Sequence, residues 1–459
     1  LIFDLWEEEV LVMKKCRNEM RGFLSLCAVA ALAVTFSGCV SNKTSSTVSV
    51  GLENQYFGAA SQVGTPPNWS GGTWSLTLDS STSYFGYNDV SSGLGSVAGN
   101  APYNGAFTTT SSGFFDLTLT QAATAQTISL GGTGVGGYAV ALPGEGLLMR
   151  TGSSATDVFG HSPSALIAAT RSAACPAFTA AETFNFVAQG TTNQGDSVVH
   201  VAYGSVEITP GTQGGANSWS FSNFTMFDLS GNALSPAAIA NASCPSTAEG
   251  FVLVSPVSNT TNYPAQITTG ISPSGLLVIN QGLAEDEFGH SLFDSTPTGP
   301  VGLMGVIKPS AALNVSELVG KKYAGFESDP LGPLGTVAVV FGTTAGSGTA
   351  ITGGGYPKDD VTQAPVIDKT LDLGAQSTQT PGLFTSVTLT QPDTYSVCAG
   401  TASGGKDSAG NSTCVFHGVA VAGQVGGKYV IFTNINDPTA LTSKGATPLA
   451  VINLALYQQ

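Results

Sequence analysis

Apolar and polar side chains alternate along short stretches of this chain. Trp74, Leu76 and Leu78 alternate with Ser75, Thr77 and Asp79; Phe115, Leu117 and Leu119 alternate with Asp116, Thr118 and Thr120; Trp219 and Phe221 alternate with Ser218, Ser220 and Ser222. A period of two over aromatic and branched residues predicts strands with one face in a core and one in water. Residues 337–341 and 429–432 are unbroken apolar runs, which predicts strands covered on both faces. Helical periodicity is confined to two short stretches, 235–242 and 314–319. The predicted fold is all-β.

An internal repeat orders these strands. Set side by side without gaps, residues 146–162 and 275–291 agree at nine of 17 positions, from the shared Gly-Leu-Leu to the shared Phe-Gly-His-Ser. A third copy is fainter and emerges when residues 112–121 are set beside 381–391. The pattern predicts antiparallel meander modules at 51–172, 173–309 and 310–459. A unit of this length exceeds one propeller blade of about 40–50 residues, so it holds either two or three blades or one small barrel or sandwich.

Four segments share the pattern Asp, any, any, Gly, then His or Asn, beginning at Asp157, Asp228, Asp286 and Asp407. Asp at the first position of a type I turn accepts backbone hydrogen bonds, and Gly tolerates the left-handed conformation that follows. The alternative is a divalent metal held by Asp157, His161, Asp286 and His290 across two modules. Asn232 and Asn411 in the other copies keep the turn chemistry and lose the imidazole, which favours the turn reading. His200 lies in a strand-like run and His417 near Cys414, yet no GxSxG, HExxH or P-loop accompanies either. Glu285, Asp286 and Glu287, or Asp359 and Asp360, supply paired carboxylates such as glycoside hydrolysis uses, but neighbouring acids in polar loops are ordinarily solvated. No catalytic residue and no cofactor are predicted.

The 459 residues carry a formal charge of −15 with only 10% charged side chains. Such a balance repels nucleic-acid phosphates, so no nucleic-acid partner is expected.

Near the start, Lys14, Lys15, Arg17 and Arg21 precede an apolar stretch of 14 residues, 23–36, too short to span a bilayer. That stretch runs into Thr35, Phe36, Ser37, Gly38 and Cys39, a sequence that resembles the lipobox of bacterial lipoproteins, although Phe36 replaces the usual aliphatic residue. The resemblance implies a helical signal peptide at 13–38, lipidation of Cys39 and a Ser/Thr-rich tether at 39–50. Residues 1–12, with Glu7, Glu8 and Glu9, then read as an over-extended gene start. Val40 is not the Asp of an inner-membrane retention signal, which points to the outer membrane, facing either the periplasm or the exterior. Cys16 and Cys27 would leave with the signal. The remaining Cys175, Cys244, Cys398 and Cys414 are an even set suited to disulfides in an oxidising compartment, and locality favours Cys398 with Cys414 and Cys175 with Cys244.

Trp69, Trp74, Tyr84, Phe85 and Tyr87 crowd the first module together with Asn68, Asn88 and Asn100, a composition suited to sugars or peptides as well as to a core. Beyond the lipobox, the chain is similar to large envelope lipoproteins of Gram-negative bacteria. The expected function is non-catalytic binding or scaffolding at the cell envelope, with a membrane contact through the lipid and glycan or protein as partner. A glycan-directed hydrolase and a purely structural surface protein are the alternatives.

Overall fold

The computed structural model describes residues 55–56, 59–63, 71–79, 84–92, 103–121, 127–129, 138–150, 166–170, 180–192, 199–213, 216–234, 242–243, 252–254, 266–282, 298–328, 336–342, 348–357, 360–392, 403–406, 410–436 and 451–459. All lie in one compact unit, Val48–Gln459.

The first sheet holds β1 (Gln55–Tyr56), β2 (Ala59–Val63), β3 (Gly71–Asp79), β4 (Tyr84–Ser92), β5 (Tyr103–Thr109), β6 (Phe115–Gln121), β7 (Thr127–Ser129), β8 (Tyr138–Leu142), β9 (Gly146–Arg150) and β10 (Leu166–Thr170). The second holds β11 (Glu182–Thr192), β12 (Val199–Gln213), β13 (Ala216–Asp228), β14 (Ala233–Leu234), β15 (Ala242–Ser243), β16 (Val252–Val254), β17 (Gln266–Ile271), β18 (Leu276–Gly282) and β19 (Thr298–Ile307). The third holds β20 (Tyr323–Ser328), β21 (Thr336–Phe341), β22 (Ala350–Gly355), β23 (Lys369–Asp372), β24 (Leu383–Pro392), β25 (Ser403–Lys406), β26 (Ser412–Val425), β27 (Lys428–Asn436) and β28 (Val451–Gln458).

Every pairing is antiparallel, and each sheet closes on itself. With β1 and β7 set aside, the first runs β2-β3-β4-β5-β6-β8-β9-β10 and returns to β2. Without β14, the second runs β11-β12-β13-β15-β16-β17-β18-β19 and returns to β11. Without β25, the third runs β20-β21-β22-β23-β24-β26-β27-β28 and returns to β20. The result is three up-and-down barrels of eight strands with the same connectivity, rather than propeller blades. Closure removes the sheet edges that a chain so poor in charge would otherwise present to its neighbours.

Inside barrel 3, Val339, Phe341, Ile351, Leu371, Phe384, Leu389, Phe416, Ile431 and Leu456 pack together. Phe184, Phe186, Val206, Ile208, Leu277, Ile279 and Leu303 do the same inside barrel 2. An apolar interior is the reverse of a transmembrane barrel, whose lumen is polar and whose outer band is apolar. One end of barrel 3 is closed by the helix Val315–Val319, which Asn314 precedes; Leu318 and Val319 join the interior, and the Tyr323 hydroxyl donates to the Leu318 carbonyl.

A further core lies between the barrels. Val140, Leu142 and Leu148 from barrel 1, Val187, Val278 and Met304 from barrel 2, and Phe326, Val340, Val430, Phe432 and Tyr457 from barrel 3 form one buried cluster. The unbroken apolar runs follow from this. Along 429–432, Tyr429 and Ile431 face the barrel interior while Val430 and Phe432 face the shared core, and Ala338 and Val340 alternate likewise with Val339 and Phe341. The 235–242 stretch lies largely outside the described residues, and its last residue opens β15.

In each barrel the hairpin between the sixth and seventh strands reaches the same junction. Glu145, in the β8–β9 turn, accepts from the Ser274 amide (3.0 Å) and hydroxyl (2.8 Å) in the β17–β18 turn. Gly426, in the β26–β27 turn, has φ +58 and leaves room for Glu145: a Cβ there would stand 3.0 Å from its Cγ. The side chain of Asn434 adds a tie between barrels 3 and 2, donating to the carbonyls of Ala188 (2.9 Å) and Ala202 (3.2 Å).

Candidate functional site

Tyr323 faces the interior of barrel 3, so the period of two turns Gly325 and Glu327 of β20 inward as well. Leu371 and Leu389 likewise put Lys369 of β23 and Gln391 of β24 on inward positions. All three sit at the barrel end opposite the helix. Glu327 is 1% exposed. Its Oε1 accepts from Lys369 Nζ at 2.5 Å, and the same Nζ donates to Gln391 Oε1 at 2.7 Å. Glu327 Oε2 is buried and accepts no hydrogen bond from the described residues. Cys414 is the register partner of Gln391 and is itself buried.

This arrangement is costly for a scaffold. Desolvating two charges consumes much of their mutual attraction, and an unsatisfied buried acceptor costs about 1–3 kcal/mol, more when charged. The closure of an eight-stranded ring does not require it.

Other acids behave differently. Both oxygens of Glu145 are used by Ser274, as befits a structural carboxylate. Asp116 and Asp360 approach each other across the seam of barrels 1 and 3. Burial, with the neighbouring Asp360 charge, raises the Asp116 pKa, while hydrogen bonds from Thr362 and Gln363 lower that of Asp360. Acids pushed apart in this way are what a hydrolase needs. Here, however, Asp360 is occupied as the cap of its own turn, taking the Thr362 backbone amide and hydroxyl on Oδ1 and the Gln363 side-chain Nε2 on Oδ2. Burial also brings the Arg150 guanidinium beside Tyr138 down to about 10, so it stays charged at neutral pH.

Of the residues singled out in the sequence, Cys39, Cys175, Cys244, Cys398, Asp157, His161, Asp286, His290, Glu285, Glu287, Asp359, Asp407, Trp69, Asn68 and Asn100 lie outside the described residues. Among the described residues, no group of His, Cys, Asp and Glu is placed to hold a metal. The turn reading holds at Asp228: Oδ1 accepts from the amides of Ser230 and Asn232, Oδ2 accepts from the Asn232 side chain, and Gly231 has φ +82. His200 lies in β12 opposite Gly190, and His417 is exposed on β26. Trp74 belongs to β3, and Tyr84, Phe85, Tyr87 and Asn88 belong to β4. Glu327, Lys369 and Gln391 were not anticipated. A signal was present, since Glu327 continues an inward period in a chain with 10% charged residues.

No family model matches the chain, and no curated protein matches it. Among solved structures, a crystal structure of a mutant of the vaccine antigen transferrin binding protein B from Haemophilus parasuis is similar, with a TM-score of 0.24 and 11% identity over 88% of this chain and 76% of that chain. So distant a likeness says nothing about what this chain binds.

Proposed function

We propose that the protein is an exported lipoprotein, acylated at Cys39 and held at the outer membrane, with a non-catalytic binding role toward envelope glycan or protein. The observation that carries the binding reading is the end of barrel 3, where a buried carboxylate keeps one oxygen unsatisfied beside a lysine. Hydrogen-bonding capacity is present there, and among the described residues no nucleophile and base are placed beside it for a reaction. A hydrolase is less well supported because Asp360 is taken up by its turn, and a purely structural role leaves the cost at Glu327 unexplained.

The lipid anchor rests on the run at 35–39. The pairing of Cys398 with Cys414 rests on locality, and the disulfide state of Cys414 supports it. The pairing of Cys175 with Cys244 rests on locality alone.

The test is a binding screen of the detergent-solubilised full chain against envelope glycans and peptides, with intact mass measured on the same sample. Saturable binding and acyl mass are expected. Uniformly negative binding counts against the role, and a protein without acyl mass counts against the anchor.

A further inference from the structure

Lys369 and Glu327 together select a class of ligand. An ammonium has three donors, and Lys369 spends two of them, on Glu327 Oε1 and Gln391 Oε1. Glu327 Oε2 stands ready to accept. The pair itself has no net charge and the neighbouring Asp368 acts on both of its members, so a cation approaching Glu327 meets the ammonium and an anion approaching Lys369 meets two carboxylates. A neutral group is complementary to both.

Because Nζ already touches one oxygen of the carboxylate, its third donor and the second oxygen are close enough to share a single bridging atom. A hydroxyl donates and accepts at one oxygen. An amide divides those functions between two atoms. Lys369 and Glu327 have side-chain exposures of 14% and 2%, and the ammonium is therefore the more accessible of the two.

Building on the binding role set out above, we infer that this end of barrel 3 binds a neutral, hydroxyl-bearing ligand such as a glycan. One sugar hydroxyl donates to Glu327 Oε2 and accepts from Lys369 Nζ, with Gln391 fixing the ammonium. In Glu327→Gln, the unsatisfied oxygen is replaced by an amide that donates, so the hydroxyl loses its acceptor while shape and volume persist. A hydrogen bond to a charged group sets the expected loss at about ten-fold or more in affinity.

The experiment titrates the detergent-solubilised full chain with N-acetylglucosamine oligomers by calorimetry, using trialanine as the peptide comparison. Glu327→Gln and Lys369→Met are run beside the wild type, with the unfolding midpoint of each recorded. Should Lys369→Met fail to fold, Gln391→Leu is used in its place, because it removes only the anchor of the ammonium. Saturable oligosaccharide binding that weakens by about ten-fold or more in Glu327→Gln, at an intact unfolding midpoint, supports the inference. Oligosaccharide binding that is unchanged in Glu327→Gln overturns the inference and leaves the binding role standing, since the sugar then sits elsewhere. Binding of trialanine alone also overturns it, in favour of a peptide site. Failure of both probes overturns it as well, and a Glu327→Gln variant more stable than the wild type then marks the pair as an internal ion pair; the role itself falls only if the wider envelope screen is also negative.

Discussion

Phe114 is the sharpest probe of whether the barrels share one core. It precedes β6 of barrel 1 and is fully buried, with its ring edge-on to Tyr138 of its own barrel (6.3 Å between centroids) and to Phe326 (5.7 Å) and Tyr356 (5.8 Å) of barrel 3. An aromatic side chain buries about 150–250 Å². At about 25 cal/mol per Å² this gives an upper bound of roughly 4–6 kcal/mol, and Phe→Ala changes in cores cost about 3–5 kcal/mol. Phe114→Ala should therefore destabilise the protein by about 3–5 kcal/mol, although the residue lies on the outer face of its own barrel. Urea unfolding followed by far-UV circular dichroism and tryptophan fluorescence gives the loss. A double-mutant cycle with Tyr356→Ala should add a coupling of about 0.5–1.5 kcal/mol, because the two rings belong to different barrels in contact. A loss below about 1 kcal/mol with no coupling is what independent barrels on a string would give, and it would refute the shared core.

Three further outcomes follow from particular contacts. Glu145→Ala removes both bonds to Ser274 and should cost about 1–3 kcal/mol, read from the urea midpoint; a neutral result would show that the three hairpins do not depend on it. Asp228→Ala removes the acceptor of the Ser230 and Asn232 amides and should cost about 0.5–2 kcal/mol, as for a lost cap; no change in thermal midpoint would mean that the turn forms without its side chain. Asp116 binds its proton more tightly in the folded state than in the unfolded chain, so its contribution lowers stability as pH rises from about 3.8 through its raised pKa. Asp116→Asn should stabilise the protein at pH 7 and flatten that part of the stability–pH curve, and equal curves for both proteins would contradict the burial argument.

Much of the fold was legible because it rests on local chemistry. The alternation along 115–120 and 218–222 coincides with β6 and β13, and Asn314 stands at the start of the one described helix. The doubly apolar runs at 337–341 and 429–432 revealed that both faces are covered, though not that the second face belongs to another barrel. Closure was not legible, because the pairings β10–β2, β19–β11 and β28–β20 join strands far apart in sequence and leave no local mark.

The repeat was informative yet out of register by one residue. Gly146 opens β9, whereas Gly275, with φ +94, still belongs to the turn before β18. The ungapped match therefore sets Leu148 of the shared core against Leu277 inside barrel 2, while the structural counterpart is Val278. A slip of one position exchanges the two faces of a strand. The site was the least legible part, since Glu327, Lys369 and Gln391 come from three strands and share no motif.

Hydrogen exchange read by mass spectrometry, on the full chain with and without an N-acetylglucosamine oligomer, tests the central functional claim most directly. Slower exchange concentrated at 325–328, 369–372 and 389–392 is the predicted result. Exchange that is unchanged there, or protection confined to another barrel, would contradict the account.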